Sequence, residues 1–89
     1  MKIFNLKYVG DIAYADLDIT IKHYTLGSYN CLAYILGTTT RLIKYTSIPE
    51  LFNDFQSRLY YLSMKKGRII NYTPYGEECI KNWYKIKNG

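Results

Sequence analysis

The side chains able to make or break a bond are few: two thiols, Cys31 and Cys79, and one imidazole, His23. A thiol becomes a nucleophile when an adjacent base or a helix N-terminus lowers its pKa. His23 precedes Cys31, and Thr25-Leu26-Gly27-Ser28 between them is a turn signal. With residues 25–28 as a hairpin loop, His23 sits opposite Asn30 and Lys22 opposite Cys31. Side-chain alternation then puts His23 and Cys31 on different sheet faces, so no dyad and no catalytic residue are expected. Structural zinc needs about four Cys or His ligands, and these three groups lack paired spacing. No metal, cofactor or disulfide framework is expected either.

The segment YNCLAYILG, residues 29–37, resembles the stretch around the nucleophile of papain-like cysteine hydrolases, in which the cysteine opens a helix. The resemblance implies Cys31 as nucleophile, a helical conformation for residues 30–36 and an activating histidine downstream. No histidine follows Cys31. The hydrolase is the one concrete enzymatic alternative, and a small buried thiol is the ordinary reading. Asp16 and Asp18 are a second candidate, because two carboxylates on one strand face could share a metal or do acid–base work. Their companions on that face, Tyr14, Thr20 and Lys22, supply no further ligand, and a solvated strand face is expected.

The third candidate is a basic, tyrosine-rich surface. Lys65-Lys66-Gly67-Arg68 forms a turn after a long helical segment, with Arg58 two turns back at the edge of its apolar arc. Tyr60, Tyr61 and Met64 lie largely outside that arc, and Tyr72, Tyr75 and Tyr84 extend the same surface. Tyrosine offers rigid contact area with a polar tip, which suits protein interfaces. Beside cations it also stacks on bases. The binding surface expected is therefore Arg58, Tyr61, Lys65, Lys66, Arg68, Tyr72 and Tyr75. The competing expectation buries Tyr60 and Met64 beneath the last helix, against Trp83.

These residues need elements to hold them. Met1–Val9 reads as a strand with Phe4, Leu6 and Tyr8 on one face, and Gly10-Asp11 as a turn. Ile12–Tyr24 alternates, with Ala13, Ala15, Leu17, Ile19, Ile21 and His23 facing one way. Tyr29–Leu36 reads as a central strand, with a short helix as the alternative, and Thr40–Thr46 as a fourth strand. Ser47–Gly67 is the one long helical signal. Ser47 and Glu50 form a capping box, Pro49 sits in the first turn and Gly67 closes the end. Leu51, Phe52, Phe55, Leu59 and Leu62 share one arc. Arg68–Tyr72 is a short strand, and Thr73-Pro74 opens a helix to Lys87 with Cys79, Ile80, Trp83 and Ile86 on one arc and a Glu77–Lys81 pair opposite. The fold class is α+β: an antiparallel β-meander of about four strands, then a long helix, a short strand and a C-terminal helix.

Residues 1–89 make one domain, small enough that a partner or a second copy would add stability. Hydrophobic content of 48% with 21% charged residues excludes disorder. No apolar run is long enough to span a membrane, the N-terminus lacks the features of a secretory signal, and a cytoplasmic protein is expected. The net charge is +5 with 11 tyrosines, and cations concentrate in residues 41–68. A one-sided basic field favours an acidic protein surface, a nucleoprotein complex or nucleic acid itself.

No recognition helix, glycine-rich clamp, RNP-type strand motif, zinc knuckle or nucleotide-binding glycine pattern is present. In size and charge the chain is similar to small bacterial mRNA-cleaving toxins, but those begin with helices and this chain with strands. Its compactness and its Ile, Lys, Asn and Tyr usage look like those of many phage-encoded inhibitors of host machinery, anti-CRISPR proteins among them. That resemblance implies a non-enzymatic inhibitor acting in the host cytoplasm. Direct DNA or RNA binding by the same surface is the alternative.

Overall fold

The computed structural model describes residues 5–89. Four strands form an antiparallel meander: β1 (Leu6–Ala15), β2 (Ile19–Leu26), β3 (Tyr29–Leu36) and β4 (Thr39–Tyr45). Helix α1 (Ile48–Tyr60) runs on into a π-helical turn, Tyr61–Lys65. The two-residue strand β5 (Asn71–Tyr72) and helix α2 (Pro74–Asn88) complete the chain. Strand order is β4-β3-β2-β1-β5, so β5 returns across the molecule to pair with β1. This is the α+β arrangement that the sequence pattern predicts. Residues 1–4, with Phe4 of the expected first strand, lie outside the described residues.

The strand boundaries differ from expectation in one instructive place. Gly10-Asp11 is not a turn but part of β1, at two register shifts against β2, between Tyr8 and Gly10 and between Asp11 and Ala13. The chain reverses instead at Asp16-Leu17-Asp18, where Asp16 takes φ 55°. Aspartate tolerates this left-handed conformation better than most residues, because its short side chain bonds locally. The expected strand Ile12–Tyr24 is therefore two strands. Three turn residues preserve parity, so Ala13, Ala15, Ile19 and Ile21 still share a face. Leu17, expected on that buried face, stands fully exposed at the tip.

Residues 29–36 are strand throughout, which removes the helical alternative. The β2–β3 turn is tighter than expected: Leu26 pairs with Tyr29, leaving Gly27-Ser28 as the loop. His23 consequently lies opposite Leu32 rather than Asn30, and Cys31 opposite Tyr24 rather than Lys22. The slip is two residues, so the faces do not change.

Helix α1 starts as its sequence dictates. The Ser47 hydroxyl accepts from the Glu50 N–H at 3.3 Å. The returning bond of the expected box goes one residue further back, from the Thr46 N–H to the Glu50 carboxylate at 2.9 Å. Its apolar arc, Leu51, Phe52, Phe55 and Leu59, packs on Ile12, Ala13, Ile21, Leu32, Tyr34 and Tyr45 of the sheet. Leu62 continues the arc onto Ala15 and Ile19. The widened turn is marked by the Lys66 N–H donating to the Tyr61 carbonyl at 3.2 Å. Gly67, at φ 66°, then lets the Arg68 N–H reach the Leu62 carbonyl at 3.0 Å.

Helix α2 sits on the β1 irregularity. The Thr73 N–H donates to the Ile12 carbonyl at 3.0 Å, and the Thr73 hydroxyl accepts from Gly76 N–H at 2.8 Å. Cys79 and Trp83 are buried, but Ile86, expected on the same arc, is exposed. Lys81 pairs with Glu78 at 3.8 Å, three residues back, rather than with Glu77.

Candidate functional site

The cysteine–histidine pair does not assemble. His23 and Cys31 lie on opposite sheet faces, as their cross-strand partners Leu32 and Tyr24 require. His23 is buried, with Nε2 2.9 Å from Asn30 Oδ1 and Nδ1 2.7 Å from the Tyr75 hydroxyl. Burial lowers its pKa, and the Asn30 bond opposes that. Burial pushes the Cys31 thiol up, with the charge of Lys44 opposing. A nucleophilic cysteine needs the reverse shift. Cys31 and Cys79 are both free and buried, and no group of three potential metal ligands occurs among the described residues.

Asp16 and Asp18 belong to a turn, not to a strand face. Arg68 grips both: its Nη1 lies 3.0 Å from Asp18 Oδ1, its Nη2 3.2 Å from Asp18 Oδ2, and Nη1 also bonds Asp16. The guanidinium holds the Asp18 carboxyl below its ordinary range. The pair of carboxylates therefore fastens the β1–β2 turn to the segment after α1.

The residues expected to form a binding surface divide. Arg58 is committed to Asp54 at 2.9 Å, and its guanidinium carbon lies 4.8 Å from the centre of the Tyr34 ring. Asp54 also accepts from the Tyr45 hydroxyl, which lies 3.0 Å from that of Tyr34. Burial pushes the Tyr34 hydroxyl up to about 12. Arg68 is committed to the turn. Tyr75 leaves the expected surface, since its ring packs against Gly10 and its hydroxyl meets His23. Lys65 and Lys66 make no ion pair among the described residues, and the Lys66 ammonium lies 5.7 Å from the centre of the Tyr61 ring.

Around these two lysines lies an apolar patch that the core does not use. Tyr60 is 61% exposed, Tyr61 52%, Met64 63% and Ile69 77%. Tyr60, Ile69 and Tyr72 line one shallow depression, on the side of the helix end nearest β5. Tyr61 and Leu62 line another, beside Ile19 and Leu36. Tyr60 and Met64 are thus not buried beneath α2. Trp83 finds its partners in Phe55, Phe52 and His23, at ring separations of 5.6, 6.4 and 6.0 Å.

Two features were not read from the sequence. The first is the cleft beside Tyr61, which exists only once β2, β3 and the π-turn meet. The second is the sheet face opposite the helices. There Tyr8 and Tyr24 pack edge to face at 5.5 Å, Lys22 bonds Asp11 at 3.1 Å, and Lys44 lies 4.5 Å from the centre of the Tyr29 ring. The alternation of Tyr14, Thr20, Lys22 and Tyr24 signals a wet face there, but not its aromatic pairing. No described helix is long and apolar enough to cross a membrane. Set against known protein families, curated proteins and solved structures, the chain matches none.

Proposed function

We propose that this chain is a small non-enzymatic binding protein that docks on a larger protein or nucleoprotein through the end of α1. The observation that carries this reading is the exposed cluster Tyr60, Tyr61, Met64 and Ile69, with Tyr72 alongside, bordered by Lys65 and Lys66. None of these side chains is needed by the core, and large apolar groups held in water at one place mark interaction sites. Aromatic and Met side chains at the centre with lysines at the rim suit a protein partner of acidic character.

A protein partner is favoured over bare nucleic acid by the state of the arginines. Arg58 and Arg68 are both spent on internal carboxylates, which leaves two lysines on this patch to meet phosphates. Nucleic-acid binding draws most of its affinity from such contacts. The compositional likeness to phage-encoded inhibitors, anti-CRISPR proteins included, extends the proposal to inhibition of host machinery in the host cytoplasm.

The test is affinity capture on the full chain from bacterial lysate, with Lys65→Glu/Ile69→Asp as the comparison. One protein retained by the native chain and lost by the variant is the expected result. An oligonucleotide shift that weakens steeply with salt, in the absence of any protein partner, would give the surface to nucleic acid instead.

A further inference from the structure

Between the end of α1 and the β2–β3 hairpin lies a cleft of about 290 Å³, lined by Ile19, Tyr34, Leu36, Arg58, Tyr61 and Leu62 among others. It continues into a second depression that shares Ile19, Leu36, Tyr61 and Leu62 and adds Lys66 and Arg68. The first volume lies at the bottom of the range of roughly 300–1,000 Å³ usual for small-molecule sites. Such a space suits one apolar side chain better than a cofactor. Arg58 on its wall is paired with Asp54, and Arg68 with Asp16 and Asp18, so among the described residues the unpaired cation at its edge is Lys66, in the second depression, with Lys65 next along the chain. Arg41, across the strand pair from Tyr34, makes no ion pair among the described residues.

The chain carries a matching projection. Leu17 is fully exposed at the β1–β2 turn, between Asp16 and Asp18, whose carboxylates remain 61% and 49% exposed despite Arg68. A bare leucine at a turn tip contributes nothing to its own fold. Asp18 itself borders the second depression, so projection and cleft are neighbours on each molecule. When a knob and its complementary hole lie side by side, a two-fold axis passing near them brings each knob to the other molecule's hole, which is a closed, isologous contact.

We infer that a second copy of this chain docks here, with Leu17 of each molecule entering the cleft of the other and its flanking aspartates meeting Lys65 and Lys66. The contact takes Tyr61, Lys65 and Lys66 from the patch at the end of α1, and leaves the depression lined by Tyr60, Ile69 and Tyr72 open. The dimer and a protein partner thus share these three residues, and Leu17, which belongs to the dimer contact alone, separates the two readings.

Analytical ultracentrifugation of the full chain over a concentration series tests it. The native chain should show a reversible monomer–dimer equilibrium. Leu17→Asp, which removes the knob, and Ser57→Trp, which fills the cleft from an exposed helix position, should each weaken dimerisation at least about tenfold, as loss of a central anchor does. Mixing the two variants pairs an intact knob with an intact cleft and should recover a heterodimer that neither forms alone. Because Leu17 is fully exposed in its own molecule, Leu17→Asp should keep the native melting temperature at concentrations where the native chain is monomeric. A native chain that stays monomeric up to about 1 mM, a dimer indifferent to Leu17→Asp, or no recovery on mixing would each overturn the inference. Capture of another protein by monomeric Leu17→Asp leaves the proposed function standing whatever the dimer does.

Discussion

The Nδ1 nitrogen of His23, on β2, lies 2.7 Å from the hydroxyl of Tyr75 in the first turn of α2. With Asn30 Oδ1 as acceptor at 2.9 Å, Nε2 carries the proton, so Nδ1 accepts from the tyrosine. The only imidazole of the chain thus joins the second strand to the last helix and is neutral, held between an amide and a phenol and edge-on to Trp83.

A pH dependence follows. Burial lowers the folded-state pKa of His23 below the ordinary value of about 6.5. The unfolded chain therefore takes up the proton first as the medium acidifies. His23 contributes its full stability above that ordinary value and loses it as pH falls from there towards the folded-state pKa, at no more than about 1.4 kcal/mol per pH unit. Urea midpoints should fall between pH 7.5 and pH 5. In His23→Gln the curve over that window should be flat, from a lower starting stability. An equally steep fall in the variant would assign the effect elsewhere.

The same joint is intolerant of added bulk. A Cβ on Gly76 would overlap the backbone carbonyl of Ile12, the atom that accepts from the Thr73 N–H. Backbone cannot rotate aside as a flexible side chain can. Gly76→Ala should cost at least the roughly 1–3 kcal/mol typical of overpacking, although alanine is the better helix former by about 1 kcal/mol. Thermal melts measure it, and a gain in stability would mean α2 does not sit on β1 as described.

These cases show which parts of the fold were legible. Helix α1 could be read because Ser47, Glu50, Pro49 and Gly67 act within a few residues of themselves, and a four-residue spacing of apolar side chains records one buried face. The β1–β2 turn could not. Gly10-Asp11 carries the stronger local turn chemistry, yet Gly10 is there because the Tyr75 ring, over sixty residues on, leaves no room for a Cβ. The basic surface was half legible for the same reason. Sequence places Arg58, Lys65, Lys66 and Arg68 near one another, but cannot tell a free lysine from an arginine already bound to Asp54 or to Asp16 and Asp18.

A buried hydroxyl chain offers a further test. Tyr45 donates to Asp54 and lies 3.0 Å from the Tyr34 hydroxyl, while Asp54 keeps its second bond, to Arg58. Tyr45→Phe removes one oxygen without opening a cavity. It leaves the Tyr34 hydroxyl without this partner in a buried place, which should cost about 1–3 kcal/mol. The double variant Tyr34→Phe/Tyr45→Phe should cost less than the sum of the two single changes, because the orphaned group is gone. Denaturant titration of the native chain and the three variants closes the cycle, and strict additivity would mean the hydroxyls do not interact.

Two aromatics on one helix and its extension separate what folds the chain from what the chain binds. Phe55 is 1% exposed, in contact with Trp83 and the sheet, and Phe55→Ala should cost about 3–5 kcal/mol. That is a large part of the stability of so small a protein. Tyr61 is half exposed on the π-turn, where its ring meets the Lys66 ammonium and the edge of the cleft. Tyr61→Ala should change folding stability by no more than about 0.5 kcal/mol, yet weaken the association of two copies, since it removes a wall of the site that receives Leu17. Measuring both variants by melting and by sedimentation gives a two-by-two outcome. Loss of stability without a specific association defect at Phe55, and the opposite at Tyr61, is the pattern expected. If Tyr61→Ala unfolds the chain as Phe55→Ala does, the π-turn belongs to the core, and the cleft beside it is packing rather than a place for a partner.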